Sequence, residues 1–314
     1  MKNIVRQEEE FGKDFGLIHE VVVTGRKVGA TKEFWAKLAH NEDLFRSIVS
    51  RVIPEGDWLE TILDRERKDH QNFFGQEFDL TNFRVTLEKY GAKAISQWQK
   101  LGTEPHFLPE ATMSRDANFR RWKVKPENWY YEQVAAGKIL RRQPDGSLVP
   151  DKEAFKLEGI TVLIDARLKP HYKDGKQMFE NDNLLGPIIE ELREKRKIAR
   201  YEYCPQSSRF GVSADEWEDQ IKPALAEFLG VEVPQIRLER AIEANVIPQL
   251  YPHMPRENDG ATNVWVWYEE CFGGASRRFG GGDSVGGGLS DVDYYSADFH
   301  WYVRAVRPLV VLGD

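Results

Sequence analysis

Residues 294–302, near the carboxyl end of the chain, are rich in side chains that could bind a ligand. Aromatic rings give large, stiff contact areas at a small entropic cost, and Ser and Asp add adaptable hydrogen bonds. This composition is typical of binding surfaces. No hydrophobic period runs through the segment, so it predicts either a displayed binding surface or an irregular part of the core. The candidate side chains are Tyr294, Tyr295, Ser296, Asp298, Phe299, His300 and Tyr302.

Sequence patterns that mark catalysis are absent. The chain contains no H-E-x-x-H, no C-x-x-C, no Walker A sequence and no nucleophile elbow. The loop sequence GGGDSVGGG resembles a phosphate-binding loop only in composition, because it lacks the Lys-Ser/Thr ending and a following helix. A Ser-His-Asp triad needs no fixed spacing, so the sequence leaves that option open. We therefore predict a binding protein that is not an enzyme and has no cofactor.

The sequence predicts no metal site. None of the seven histidines has another at ligand spacing. Several oxygen donors at residues 174–183 could hold Ca²⁺, but a capped loop before a helix explains them equally well. Cys204 and Cys271 are too few for a disulfide framework. The histidines are His19, His40, His70, His106, His171, His253 and His300, and the oxygen donors are Asp174, Glu180, Asn181, Asp182 and Asn183.

Composition and charge restrict the class of partner. The chain has 314 residues and a formal net charge of −7, which argues against a nucleic-acid partner. Two local basic runs, residues 120–125 and 193–200, are predicted to be solvated faces. No apolar run approaches the roughly 20 residues of a membrane span, and the acidic amino-terminal segment does not resemble a signal peptide. We expect synthesis in the cytoplasm, and the sequence does not fix the final location.

The elements that must position the candidate residues divide the chain into three parts, and together they predict an α+β protein. Residues 1–115 are predicted to form a smaller mixed, largely helical domain that docks onto another protein, with Thr31 as a helix N-cap. Residues 116–156 contain the turn sequence PDG and are predicted to be a linker or the start of the second domain. Residues 157–314 are predicted to form the carboxyl-terminal domain.

Local patterns in that domain predict a strand and a helix. A continuous apolar run at residues 160–164 is typical of a buried strand. Ser213 and Glu216 have the spacing of a capping box, which predicts the start of a helix. Pro223 is expected to kink this helix, and Gly230 is expected to end it.

Glycines dominate the approach to the aromatic segment. Eight of the 25 glycines lie at residues 273–288. Glycine reaches positive φ without a steric cost and lets backbone segments approach closely, so only tertiary packing can fix such a path. The flanking segments, around Trp265 and Trp267 and at residues 306–312, are predicted to be strands that close a core around the loops.

These residues also resemble a known family. The W-x-W at Trp265 and Trp267, the sequence RRFGGGDSVGGGLSDVDYY and the terminal VRAVRPLVVL resemble the carboxyl-terminal ends of variable proteins of diversity-generating retroelements. The resemblance extends from about residue 157 to the end. It implies a C-type lectin fold of the formylglycine-generating-enzyme type. The family's usual G-F-R-P-L ending appears here as Ala305-Val306-Arg307-Pro308-Leu309.

The resemblance implies which positions vary. In that family a reverse transcriptase miscopies adenines, usually in AAY codons, and the altered copy replaces a variable region, here about residues 264–305. Changes in the first two bases of AAY never reach Trp, Lys, Glu, Gln or Met. The implied scaffold is Trp265, Trp267, Glu269, Glu270, Leu289, Trp301 and Arg307. The implied variable binding surface is Tyr268, Cys271, Arg277, Phe279, Asp283, Val285, Asp293, Tyr294, Tyr295, Ser296, Asp298, Phe299, His300 and Tyr302.

The function implied is therefore ligand binding through a diversifiable surface, with a protein on a target cell or other surface as the partner. Two alternatives stand beside it. Formylglycine-generating enzymes share the fold and use paired cysteines, whereas Cys204 and Cys271 are distant in the sequence. A non-diversified receptor-binding or sugar-binding module is the second alternative, although the calcium-lectin motifs E-P-N and W-N-D are absent.

Overall fold

The computed structural model describes residues 22–27, 29–41, 57–143, 145–167, 171–254, 257–258, 261–283 and 288–313. The protein is a mixture of helices and mainly antiparallel sheets, as the α+β prediction requires. Two compact units divide the chain, Met1–Trp58 and Leu59–Asp314. Among the described residues, no helix is both long enough and apolar enough to cross a membrane.

The described part of the smaller unit is helical. Residues 22–27 are helical, and α1 spans Lys32–Ala39. The Thr31 hydroxyl oxygen accepts a hydrogen bond from the Phe34 backbone N–H at 3.3 Å, which confirms the predicted N-cap. The Trp35 ring occupies the space beside Gly25 where any Cβ would stand.

Helices recur through the rest of the chain. The helix α3 (Thr81–Lys100) is interrupted at Gly91, whose φ of 75° only glycine adopts easily. A π-helix, Trp217–Ile221, joins two short helices, α6 (Ala214–Glu216) and α7 (Lys222–Leu229). Two 3-10 turns span Val233–Gln235 and Gly288–Ser290. The α-helices are α2 (Asp57–Phe74), α3 (Thr81–Lys100), α4 (Asn128–Ala135), α5 (Gly186–Glu194), α6 (Ala214–Glu216), α7 (Lys222–Leu229) and α8 (Ala241–Leu250).

The helix predicted after Ser213 has the expected ends. Ser213 and Glu216 form a reciprocal capping box, and Gly230 ends α7 with a φ of 67°. Pro223 lies in the first turn of α7, immediately after the π-helix. The proline therefore follows directly after an irregular helical turn and lies at the start of a helix, and the predicted kink stays a prediction.

Four antiparallel strands form one sheet, in the order β1, β6, β15, β9. The predicted buried strand is β6, and it is flanked by β1 and β15. The carboxyl-terminal strand β15 thus lies between β6 and β9. The bounds are β1 (Thr103–Leu108), β6 (Ile160–Asp165), β9 (Ile236–Leu238) and β15 (Pro308–Val311).

A seven-stranded sheet carries the candidate residues. Its main path runs β13, β12, β11, β3, β4, with β10 and β14 also paired to β11. All of these pairs are antiparallel except β14 with β11. The bounds are β3 (Ile139–Arg142), β4 (Leu148–Pro150), β10 (Glu257–Asn258), β11 (Ala261–Phe272), β12 (Arg277–Asp283), β13 (Val292–Ser296) and β14 (Arg304–Ala305). Two small hairpins add β2 (Ala111–Thr112) with β5 (Lys156–Leu157), and β7 (His171–Lys173) with β8 (Lys176–Met178).

The division between compact units lies at Trp58/Leu59 and not within residues 116–156. Strand β1 precedes that segment, and β6 and β15 follow it, yet all three share one sheet. Phe73 and Leu108 also belong to the same buried cluster as Leu309. Residues on both sides of the predicted boundary therefore build one core.

Both faces of strand β11, in the seven-stranded sheet, are covered. Trp267 packs in a cluster with Trp217, Val306 and Val310. Val266, one residue earlier, faces a second cluster. Since alternate residues of a strand point to opposite faces, β11 contributes to two cores at once. This second cluster includes Tyr130, Phe179, Phe210, Tyr268, Phe272, Phe279 and Val292.

Buried arginines bear on two local predictions. Arg193, in the basic run 193–200, is 1% exposed and donates hydrogen bonds to backbone carbonyls, including those of Ser208 and Phe210 at 2.8 and 3.1 Å. This member of the run is structural and is not part of a solvated face. Asp182, in the candidate calcium loop, instead pairs with Arg209 at 2.6 Å and accepts the Leu185 backbone N–H at 3.1 Å. Asp182 is therefore engaged in an ion pair and a turn, while α5 begins without a side-chain cap, so the capped-loop explanation is not confirmed.

Candidate functional site

Strands β12 and β13 place the candidate residues at the edge of the seven-stranded sheet. Arg277 pairs with Ser296, Phe279 with Tyr294, and Gly281 with Val292. Beyond Ser296 the chain turns, and the Ser296 hydroxyl donates to the Asp298 carboxylate at 2.5 Å. The candidate residues 293–302 therefore lie on an edge strand and the turn that follows it.

Two glycines in β12 are required by close packing. A Cβ on Gly281 would overlap the Asp291 carbonyl oxygen and lie 2.8 Å from the Tyr268 hydroxyl oxygen. A Cβ on Gly280 would lie 3.0 Å from the Val266 carbonyl oxygen. The glycines at these positions let neighbouring segments approach each other, which is one of the two roles predicted for them.

The predicted binding residues separate into groups by exposure. Arg277, Asp293, Ser296, Asp298, Phe299 and Tyr302 are exposed, and Tyr294, Tyr295 and His300 are half-buried. Tyr268, Cys271 and Phe279 are buried, at 4%, 0% and 0%. Val285 lies outside the described residues, as does the side chain of Asp283.

The three buried residues need a correction as members of a surface. Tyr268 and Phe279 face the second core cluster. Cys271 lies in the middle of the sheet, between Leu140 of β3 and Arg278 of β12. Because these three side chains are buried, they do not form part of an exposed surface in the folded protein.

The predicted scaffold residues lie under or beside this edge. Trp265, Trp267, Leu289, Glu270 and Arg307 are buried, and Trp301 and Glu269 are half-buried. The Trp267 indole N–H donates to the Val212 carbonyl at 2.9 Å. Glu270 caps helix α8 by accepting the Ala241 backbone N–H at 3.1 Å, and its burial raises the pKa of the carboxyl to about 7.

Arg304 lies inside a cage of aromatic rings. Its guanidinium carbon is 3.7 Å from the centroid of Tyr295 and 4.4 Å from that of Trp267. The rings of Trp265, Trp301 and Phe299 lie 5.2, 5.4 and 5.6 Å away. All three guanidinium nitrogens are buried without a hydrogen-bond partner among the described residues, and burial lowers the pKa of Arg304 to about 10. Cation–π attraction and the nearby Asp291 and Asp293 carboxylates together compensate for burying this charge.

Ring contacts continue from the cage to the exposed edge. Tyr295 stacks with Phe299 at 6.2 Å, Phe299 contacts Trp301 at 6.3 Å, and Trp301 contacts Tyr302 at 6.5 Å. A second segment then joins, because Tyr203 lies 6.2 Å from Tyr302. We call this connected set the aromatic surface: Tyr201, Tyr203, Tyr295, Phe299, His300, Trp301 and Tyr302.

Sequence reasoning missed Tyr201 and Tyr203. Tyr203 is 55% exposed, and Tyr201 stacks with His300 at 6.3 Å between ring centroids. Both belong to a segment about a hundred residues before Tyr302, where the Cys204 thiol contacts the Tyr302 carbonyl oxygen at 3.7 Å. The two closely spaced tyrosines in the sequence Tyr201-Glu202-Tyr203 could have indicated these additional surface residues.

An ion pair fixes one side of the aromatic surface. His300 Nε2 lies 2.9 Å from the Glu216 carboxylate, which is also the carboxylate of the Ser213 capping box. The Glu216 carboxylate raises the pKa of His300. The side chain of His300 is 27% exposed, but the Nε2 that faces Glu216 is buried.

The two cysteines are buried and free. Burial raises the pKa of the Cys204 thiol to about 11, and it also raises the pKa of Cys271. Since the thiolate is the reactive form, both thiols are weak nucleophiles in the folded protein.

A second cluster of polar residues lies away from the seven-stranded sheet. Glu104, His106 and His253 each place a potential ligand atom within 4.8 Å of the others. The prediction that every histidine stands alone is therefore corrected for His106 and His253. The fold brings His253 to Glu104 although 149 residues separate them, so ligand spacing in the sequence could not reveal the contact.

Comparisons with models of protein families, with curated proteins and with solved structures found no match.

Proposed function

We propose that this protein is a ligand-binding protein whose aromatic surface recognises a protein partner and is varied by a diversity-generating retroelement. The observation that carries the proposal is the connected set of partly exposed rings at the sheet edge, with Phe299 41% and Tyr302 46% exposed. Asp293, Ser296 and Asp298 are exposed around them. Tyrosines and phenylalanines bordered by short polar side chains are typical of residues that dominate protein recognition.

A framework beneath the surface supports this proposal. Tyr295 and Trp301 belong both to the aromatic surface and to the cage around Arg304. Trp267, on the core side of that cage, is fully buried. A surface that tolerates substitution needs such a rigid foundation, because binding sites lose affinity when their supporting side chains move.

The residue types at the exposed positions also agree with the proposed mechanism of variation. Asp293, Ser296, Asp298, Phe299 and Tyr302 carry residue types reachable from AAY codons. Trp265, Trp267 and Trp301, which are not reachable, all contact Arg304. The proposed variable set is therefore smaller than the set the resemblance implied, since the buried residues Tyr268, Cys271 and Phe279 are left out.

The neighbouring DNA provides the direct test. We expect a near-copy of the segment that encodes residues 265–312, beside a reverse transcriptase gene, with differences mainly at adenines. Absence of both from the genome would contradict diversification and favour a non-diversified binding module. A copy with differences concentrated in the codons of buried residues would contradict the assignment of the surface.

A pair of libraries tests the surface itself. One library randomises Asp293, Ser296, Asp298, Phe299 and Tyr302. The control library randomises the same number of positions at Tyr268, Cys271, Phe279, Trp267 and Val292. We expect most members of the first to remain folded, as judged by protease resistance in a display format, and to yield binders to a test protein. Most members of the control should unfold. Equal losses in the two libraries would contradict the proposal.

A further inference from the structure

We propose that Glu104, His106 and His253 bind a divalent transition-metal ion, with Zn²⁺ as the best fit. Glu104 and His106 are separated by one residue in β1 and so share a face of that strand. His253 lies shortly after the end of α8. Its Nε2 lies 3.1 Å from Glu104 Oε2, and His106 Nε2 lies 3.6 Å from the same oxygen. These contacts bring two imidazole nitrogens and one carboxylate oxygen together.

The burial and hydrogen bonding of the His106 ring nitrogens point to a missing ligand. Its side chain is fully buried, and its Nδ1 lies 2.7 Å from Glu66 Oε1. Its Nε2 is buried too and makes no hydrogen bond to the described residues, since Glu104 Oε2 lies 3.6 Å away. A buried nitrogen without a hydrogen bond is costly, and a metal ion bound between Nε2 and this carboxylate would remove that cost.

The surroundings of His106 resemble the support of a metal ligand. Metal-bound histidines usually direct their second ring nitrogen to a carboxylate, which fixes the tautomer and the ring orientation. Glu66 has this role here, and it is itself held by the Tyr251 hydroxyl at 3.0 Å and the Phe107 backbone N–H at 3.2 Å. The supporting carboxylate is thus fully buried and positioned by two donors.

The donor set selects the class of metal. Two imidazoles and one carboxylate suit zinc and other first-row transition metals, whereas Ca²⁺ and Mg²⁺ prefer oxygen donors. Glu104 and His253 are 23% and 34% exposed, so one side of the group faces water. Three protein ligands beside an open side leave a position for water or another small ligand, as in catalytic zinc sites and unlike closed structural ones.

One group opposes the proposal locally. Arg65 Nη1 donates to Glu104 Oε2 at 3.0 Å and would repel a cation. Its side chain is 31% exposed, but its Nε and Nη2 are buried, so a bound metal ion would have to displace this arginine from Glu104. Glu66 is buried nearby and joins Glu104 as a second carboxylate beside this one arginine. The region therefore has negative charge to offer a dication.

The test uses the full-length chain freed of any affinity tag and stripped with a chelator. Titration with Zn²⁺ alone, followed by calorimetry and by metal analysis after gel filtration, should give one bound ion per chain. The variants H106A and H253A should each weaken binding at least about tenfold, and E66Q should weaken it by roughly 10–100-fold, the range for supporting groups. H40A, in the smaller unit and exposed, is the matched histidine control and should bind like the native chain.

Other metals and unfolding experiments complete the test. Zn²⁺ should raise the melting temperature of the native chain and of H40A but not of H253A, because only proteins that bind the ion gain stability from it. H253A alters a partly exposed residue, so it keeps the test valid if H106A fails to fold. Fe²⁺ or Co²⁺ binding in place of Zn²⁺ would support the site with a different resident metal. Binding that is absent, or unchanged in H106A and H253A, would overturn the proposal and leave the cluster as an ion-pair network.

Discussion

The guanidinium carbon of Arg304 lies 3.7 Å from the centre of the Tyr295 ring, which couples a fully buried cation to a half-buried member of the aromatic surface. The relationship matters because Arg304 lies on the core side and Tyr295 on the outer edge strand β13. Loss of the cation would free Tyr295, Phe299 and Trp301 together. The cage is thus the connection between the core and the proposed binding surface.

Replacing Arg304 with Lys should lower the free energy of unfolding by about 2 kcal/mol, the scale of a desolvated cation–π interaction. Lysine keeps the charge but loses the planar group that stacks on Tyr295. The measurement is urea denaturation of the variant and the native chain. The matched control is Arg277→Lys: its guanidinium lies 5.3 Å from the Tyr294 ring but the residue is exposed, so a change within about 0.5 kcal/mol is expected. Equal effects at the two positions would contradict the cage.

Truncation of exposed and buried rings should separate surface from core. Phe299→Ala and Tyr302→Ala should each lower the free energy of unfolding by about 1 kcal/mol or less, because Phe299 is 41% and Tyr302 46% exposed in the folded protein. Phe279→Ala should cost about 3–5 kcal/mol, since it removes a fully buried ring from the second core cluster. Denaturant midpoints of the three variants provide the comparison. A cost for Phe299→Ala that matches Phe279→Ala would place Phe299 in the core.

Cys204 and Cys271 should resist alkylation in the folded protein. Burial raises the pKa of both thiols, to about 11 for Cys204, so few thiolates exist near pH 7. We expect iodoacetamide, followed by mass spectrometry, to modify neither residue in native protein and both in denaturant. Rapid modification of either cysteine under native conditions would favour the oxidase alternative, which depends on a reactive thiol.

Local interactions were predictable from the sequence. The Thr31 cap, the Ser213–Glu216 capping box and the Gly230 ending all depend on residues within a few positions of each other. The buried strand β6 was predictable for a similar reason, because its apolar run is continuous. The α+β class followed from such elements.

Long-range contacts explain what the sequence left undetermined. Tyr268 and Phe279 have residue types that suit a binding surface, but a second core cluster covers their side of the sheet. Tyr203 joins Tyr302 across about a hundred residues, and His253 joins Glu104 across 149. Neither pair has a periodic or motif signature, since chain folding alone brings its members together. The exposure of the aromatic side chains and the geometry of the candidate metal ligands could therefore be determined only from the structure.

The pair of His300 and Glu216 should make the stability of the fold depend on pH. The Glu216 carboxylate raises the pKa of His300, and Asp298 acts in the same direction. Because the folded pKa lies above the unfolded value of about 6.5, the stabilisation is complete below that value and is lost as the pH rises through the folded pKa. We expect His300→Asn to lower the free energy of unfolding by about 0.5 kcal/mol more near pH 5 than near pH 8, a size typical of partly exposed ion pairs.

Denaturant titrations of the native chain and His300→Asn at the two pH values measure the difference. High salt should reduce it, since both side chains lie partly at the surface, at 27% and 14% exposure. A larger effect at the higher pH would show that neutral His300 is the stabilising form and would contradict the ion pair.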